Sequence, residues 1–229
     1  MQNISTHLSL TPSEEDYLLA IARNPGAIKT GELARMLTVA DASVTTMVAK
    51  LAGKGLVLHR SHKPISLTKL GEMTATNLVR RHRLIELFLT STLGYGWDEV
   101  HAEAHRLEHL VSEKFIERLD SFLGHPLTDP HGSPIPQSDG SLPNLIRTPL
   151  ESLLPGQSAT IAEVSDDDAG LLAHLGKLKL TPGKKITLLE RVDFDGSMVL
   201  RLSNRKVTIS RSVAAAIQVD EVTNFDQIN

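Results

Sequence analysis

The hydrophobic pattern of this chain changes period once, across a stretch rich in Pro, Gly and Ser between Gly124 and Pro143. Before it, apolar residues recur at helical spacing; after it, they come in short runs bounded by turn residues. One chain with two periods cannot be built from a single kind of layer. The pattern therefore predicts a mainly α N-terminal part and a small all-β C-terminal part joined by a linker. Aromatics make up 3% of the 229 residues, so burial must come from Leu, Ile, Val and Ala. Cysteine is absent, which excludes a disulfide scaffold, a zinc ribbon, a thiolate nucleophile and an iron–sulfur cluster. No apolar run nears the roughly 18 residues of a membrane helix, and the N-terminus lacks a basic-then-apolar leader, so a cytoplasmic chain with no membrane partner is expected.

Within the helical part, Thr11-Pro12-Ser13-Glu14 reads as a helix start, and Asn24-Pro25-Gly26 as its stop. A short helix opens at Thr30. A second, capped by Asp41 or Ser43, turns Val44, Met47, Val48 and Leu51 inward, which is helix-turn-helix spacing. Leu56–Arg60, the turn Ser61-His62-Lys63-Pro64 and Ile65–Thr68 add a hairpin, hence a winged variant. Two long helices are predicted over Lys69–Thr92 and Asp98–Leu123, with more apolar positions than one small core needs, so part of this surface is expected to form a helical dimer interface. Five β runs between Ala159 and Val219 predict a small five-stranded barrel. The expected domains are 1–70, a winged helix-turn-helix; 71–143, helical; and 144–229, the barrel.

Charge sharpens this division. Residues 1–70 carry eight Lys/Arg against five acids, whereas residues 71–140 carry six against eleven and hold six histidines. A basic head invites a polyanion, and an acidic, histidine-rich body invites a cation. On the second helix of the helix-turn-helix, Ser43, Thr45, Thr46 and Lys50 are the short polar and basic side chains expected to face DNA, with Arg60 and Lys63 of the wing reaching phosphates.

His101, His105, Glu108 and His109 fall within one stripe of a helix at about 100° per residue, and His82 and Glu86 share a face of the preceding one. Single histidines are usually solvated surface; two registered stripes of imidazole and carboxylate on neighbouring helices are what a divalent cation requires. Nitrogen and oxygen donors without sulfur suit Mn(II) and Fe(II), although imidazole also suits Zn, Cu and Ni.

The winged helix, Arg81-His82-Arg83-Leu84-Ile85-Glu86, Val100–His109 and Gly132-Ser133-Pro134-Ile135-Pro136, in this order, resemble the diphtheria-toxin-repressor family of metal-dependent transcriptional regulators. The likeness covers nearly the whole chain, and the C-terminal part looks like that family's SH3-like, FeoA-like domain. The resemblance implies a homodimer that binds a palindromic operator in double-stranded DNA when metal-loaded and represses metal-uptake genes. It implies a primary site of Asp16, His105, Glu108 and His109, an ion there linking the DNA-binding and dimerisation domains. It also implies an ancillary site of His82, Glu86 and His101, joined by Asp167 or Asp168 from the SH3-like domain. Iron-type members carry Met and Cys where Asp16 and His105 stand, and manganese-type members Asp and Glu; Asp16 thus points to Mn(II), with Fe(II) the alternative, and His105 matches neither branch.

Two other classes compete. A metallohydrolase would use the His/Glu cluster, but the chain has no HExxH pattern and no nucleophile elbow. A metal-independent winged-helix regulator would place a small-molecule ligand in the helical domain. The chain is expected not to be an enzyme.

Overall fold

A computed structural model describes residues 9–223 except 25, 61, 62 and 167. The chain forms two compact units. One runs to His82 and takes in Leu107–Val111 and Pro136–Ser141; the other holds Arg83–Arg106, Ser112–Ile135 and the chain from Leu142 on.

The first unit begins with α1 (Pro12–Ala22). Thr11 Oγ1 accepts from Glu14 N–H and the Glu14 carboxylate accepts from Thr11 N–H, a reciprocal cap that satisfies two amides the helix cannot. α2 (Thr30–Leu37) and α3 (Asp41–Gly53) follow, separated by Thr38 in a left-handed conformation. The wing is short: β1 (Val57–Leu58) pairs antiparallel with β2 (Ser66–Leu67), and Ile28 bridges Ile65. Leu18, Leu33, Val44, Val48, Leu51, Leu56 and Ile65 are fully buried together. At about 1.5–3 kcal/mol for each large aliphatic side chain, this shared burial holds α3 with its opposite face in water. Thr68 then starts α4 (Lys69–Leu93) by accepting from Gly71 N–H. A Cβ on Gly71 would lie 2.0 Å from Leu56 O, so the start of α4 can lie this close to the wing only as glycine.

The helix expected over Asp98–Leu123 is two helices, α5 (Val100–Glu108) and α6 (Glu113–Phe122). The break comes from Ser112, whose hydroxyl accepts from Phe115 N–H and restarts the ladder as an N-cap. Apolar periodicity runs through such a break without registering it.

In the second unit, β3 (Thr148–Pro149), β4 (Ser158–Val164), β5 (Lys185–Arg191), β6 (Met198–Leu202), β7 (Arg205–Ile209) and β8 (Ile217–Thr223) form one antiparallel sheet in the order β3-β8-β4-β5-β6-β7. It has one strand more than the sequence indicates, because β3 is two residues long and ends in Pro. α7 (Ala169–Leu178) and α8 (Arg211–Ala215) complete this part. Ile161, Leu172, Leu175, Leu188, Leu200 and Val219 share one core.

The stretch read as a linker is largely built in. Asp129, His131, Ser133 and Ile135 are buried. Asp129 Oδ1 accepts from His131 N–H at 2.8 Å and Ser133 N–H at 2.9 Å, closing the turn with a side chain. Val164 N–H donates to His131 O at 2.9 Å, so the turn lies along β4. Gly132, at φ +88°, sits where a Cβ would meet Ala162 O at 1.9 Å. Proline and glycine here encode close approach instead of mobility.

Candidate metal centre

Each unit assembles its own set of nitrogen and oxygen donors. In the first, α1 supplies Glu15 and Asp16, α4 supplies His82, and the end of α5 supplies Glu108 and His109. His109 Nε2 lies 3.5 Å from Asp16 Oδ1 and 3.6 Å from Glu108 Oε1. Two donors each about 2.1 Å from one ion and some 110° apart would be roughly 3.4 Å from each other, so this spacing suits shared coordination. The other ring nitrogen, His109 Nδ1, meets Glu15 Oε2 at 2.6 Å. A carboxylate on the far nitrogen orients a ligating imidazole and raises its basicity. Arg81 Nη1 steadies both ends, 3.4 Å from Glu15 Oε1 and donating to Glu108 O at 3.0 Å.

His82 Nδ1 meets Glu108 Oε2 at 2.7 Å, so the structure brings it to the carboxylate of the expected primary set. His105 is exposed on α5, one turn after His101 and one turn before His109. Glu15 was not singled out from the sequence, where it reads as one of two acids in the first turn of a capped helix. Its adjacency to Asp16 is the signal that was there.

The second set is buried. Glu86 is 0% exposed, and its Oε1 meets His101 Nδ1 at 3.1 Å. One donor atom each from Glu86, Asp129, His131 and Asp166 lie within 4.8 Å of one another. Three of these four were not expected. Asp167 lies outside the described residues, and Asp168 is instead the N-cap of α7, its Oδ1 accepting from Gly170 and Leu171 N–H. Of the described acids of that run, Asp166 joins the cluster.

Hydrogen bonding fixes the chemistry of this set. His131 Nε2 lies 2.7 Å from Trp97 O, which can only accept, so Nε2 carries the proton. His131 Nδ1 lies 3.8 Å from Glu86 Oε2 and has no hydrogen-bond partner among the described residues. Asp129 Oδ2 also has none, with Arg83 Nε 3.5 Å away. Burial first, and then the Glu86 carboxylate beside it, push the Asp129 carboxyl up to about 7, against the opposing pull of Arg83 and His131. Carboxylate and imidazole atoms converge here, three of the four residues buried, and a divalent cation fits what they lack.

On α3, Ser43, Thr45, Thr46 and Lys50 are all exposed; Ser43, Thr46 and Lys50 follow one another at i, i+3 and i+7 along one face. The Thr45 and Thr46 hydroxyls donate back to Asp41 O and Ala42 O, both at 3.0 Å. Arg60 and Lys63 are exposed on the wing; Ser61 and His62 between them lie outside the described residues.

Three family descriptions match in chain order: "Iron dependent repressor, N-terminal DNA binding domain" over residues 9–65, "Iron dependent repressor, metal binding and dimerisation domain" over 68–137, and "FeoA domain" over 148–221. The solved "Manganese-dependent transcriptional repressor complex with manganese" is 35% identical at a TM-score of 0.79, covering 90% of this chain and 98% of that one. The chain belongs to the iron-dependent repressor family. Other members include the iron-dependent repressor IdeR of Mycobacterium tuberculosis, 38% identical over 104 residues. The manganese regulator SloR is 35% identical at a TM-score of 0.71, covering 92% of this chain and 99% of that one. The transcriptional regulator MntR of Lysinibacillus sphaericus is 34% identical over 113 residues, 48% of this chain and 80% of that protein. The match to IdeR covers 45% of each protein, less than half the length of that relative. The expected fold class, a winged helix-turn-helix and dimerisation helices followed by an SH3-like β domain, stands with this membership and with the sheet described above.

Proposed function

We propose that this chain is a divalent-metal-dependent transcriptional repressor that binds a palindromic duplex operator as a homodimer, with Mn(II) as its cation and Fe(II) as the alternative. One observation carries the reading: α1, which packs in the same core as the exposed α3, presents Asp16 to the Glu108–His109 pair at the end of α5, with His109 already oriented by Glu15. The family resemblance adds His105 as a fourth donor. In the second unit we assign Glu86, Asp129, His131 and Asp166 as the residues that hold a second ion.

When bound, a divalent cation supplies positive charge that carboxylates from separate elements can share. Asp16 and His109 then hold α1 at the end of α5, and α1 carries α3 with it through their shared core. Fixing that orientation lowers the entropy of placing two recognition helices in successive major grooves, which is a linkage between cation and operator. Ser43, Thr46 and Lys50 face the duplex, and Arg60 and Lys63 contact phosphates. The dimer is supported by apolar surface on α6 and beyond it: Phe115, Phe122 and Leu127 are 45%, 68% and 53% exposed. Nitrogen and oxygen donors with no cysteine in the chain favour Mn(II) over the softer ions. Among the described residues no helix is long and apolar enough to cross a membrane.

The test selects duplexes from a random pool with Mn(II)-loaded protein, then measures binding by anisotropy. Chelator should abolish binding and Mn(II) restore it, and Asp16→Ala and His109→Ala should lose the metal response while remaining dimeric. Wild-type affinity in either variant, with the response intact, would overturn the reading.

A further inference from the structure

The net charge of −3 hides a strip of opposite sign at one end of the β domain. Residues 177–185 and 201–206 contain Lys177, Lys179, Lys184, Lys185, Arg201, Arg205 and Lys206 and not one acid. Three local features gather them. The Arg205 guanidinium donates to Leu178 O, tying the β6–β7 turn to the last turn of α7. Ile186 pairs with Leu202, which sets Lys184 and Lys185 beside the Ser203-Asn204 turn. Lys179, Lys184, Ser203, Asn204 and Arg205 line a hollow of about 340 Å³ with Leu202 at its wall.

Several cations elsewhere in the fold have acidic partners: Lys54 has Glu14, Arg147 has Glu163 and Arg211 has Glu151. Apart from Arg201, the cations of this strip are exposed and none forms an ion pair among the described residues. Arg201 and Lys206 even stand directly opposite each other in the β6–β7 ladder, a like-charge pairing that costs the sheet stability. A strip that gathers cations from three elements around lysine, arginine, serine and asparagine donors suits a linear polyanion.

We infer that this end of the β domain is a second, sequence-independent contact for duplex DNA, with backbone phosphates seated on Lys179, Lys184 and Arg205. The inference rests on the DNA-binding reading above and adds to it a surface outside the winged helix. Phosphate contacts of this kind position a protein on the duplex and set the salt dependence of binding without reading bases.

The experiment compares full-length, Mn(II)-loaded wild type with the variant Lys179→Gln/Lys184→Gln/Lys185→Gln/Lys206→Gln on a fluorescein-labelled random-sequence duplex across a salt series. Each phosphate contact contributes about 0.9 to the slope of log K against log salt, so the variant slope should fall by roughly 2 or more, with at least about a tenfold loss of affinity near 0.1 M salt. The matching Lys→Arg variant should restore the slope, and Mn(II) binding should be unaltered in both. An unchanged slope in the Gln variant, with wild type binding DNA normally, overturns this inference and leaves the strip to an acidic protein partner. A wild type that binds no duplex at any Mn(II) concentration overturns the regulator reading itself.

Discussion

The two donor sets differ in what they hold without an ion. In the first unit, carboxylates have nitrogen partners: Glu15 meets His109 and Arg81, and Glu108 meets His82. In the second, Glu86, Asp129 and Asp166 gather around His131, whose Nε2 proton is committed to Trp97 O, with Arg83 near Asp129 and His101 meeting Glu86. A balanced set can gain and lose an ion at little structural cost, which suits sensing. A buried, imbalanced set needs its ion to be stable, which suits a structural role.

The largest effect should come from breaking the frame of the second set. Gly132→Ala puts a methyl group 1.9 Å from Ala162 O at a φ of +88°. Positive-φ strain plus displacement of β4 should cost about 3 kcal/mol or more, read as a lower urea midpoint. The same variant should lose the metal response of the second set. Unaltered stability would show that the turn does not lie on β4.

Next comes the charge imbalance itself. Asp129→Asn keeps the Oδ1 acceptor for the His131 and Ser133 amides and, above a pH of about 7, removes one buried negative charge. The metal-free variant should therefore melt higher than metal-free wild type. Saturating Mn(II) should stabilise wild type by about 2.7 kcal/mol at a hundredfold excess over Kd, and the variant by much less. Trp97, the only tryptophan in the sequence, stacks near His131 at 5.6 Å between ring centroids and gives a fluorescence readout for this set. A metal-free variant less stable than wild type would sink the structural role.

The sensing side is sharpened by Glu15→Gln. It leaves an acceptor for His109 Nδ1 but takes away the charge that raises imidazole basicity. Metal dependence of DNA binding should shift to about tenfold higher Mn(II), with the Trp97 signal unmoved. If both shift together, the two sets are not independent.

Much of this architecture was legible because it rests on period and punctuation. The change from helical to β spacing, the cap at Thr11 and the inward row Val44, Val48 and Leu51 are local signals that the packing reinforces. What escaped was set by long-range approach. Asp129 and His131 sit in a stretch whose Pro and Gly content reads as a spacer, and only the nearness of β4 turns it into a buried turn. In the run of three aspartates pattern alone does not separate roles; Asp168, directly before Ala-Gly-Leu at the start of α7, carries the N-cap preference. His82 and Glu86 stand four apart on α4, and the Glu108 carboxylate that meets His82 comes from α5, a partner that helical spacing along α4 does not register.

The smallest effect tests the anchoring of α1, on which the sensing set depends. The Lys54 ammonium donates to Glu14 at 2.8 Å, and with the Thr11 amide it holds that carboxyl below the usual value of 4.5. A lowered folded pKa contributes stability that is fully present above the unfolded value and is lost as pH falls through the folded one. Lys54→Met should thus be less stable than wild type at neutral pH by under about 1 kcal/mol, since the lysine is partly exposed. The gap should close as pH falls below 4.5. A gap that stays constant across that range would mean that Lys54 supports α1 through its aliphatic stem and not through charge, and the tie between α1 and α3 would then rest on their apolar core alone.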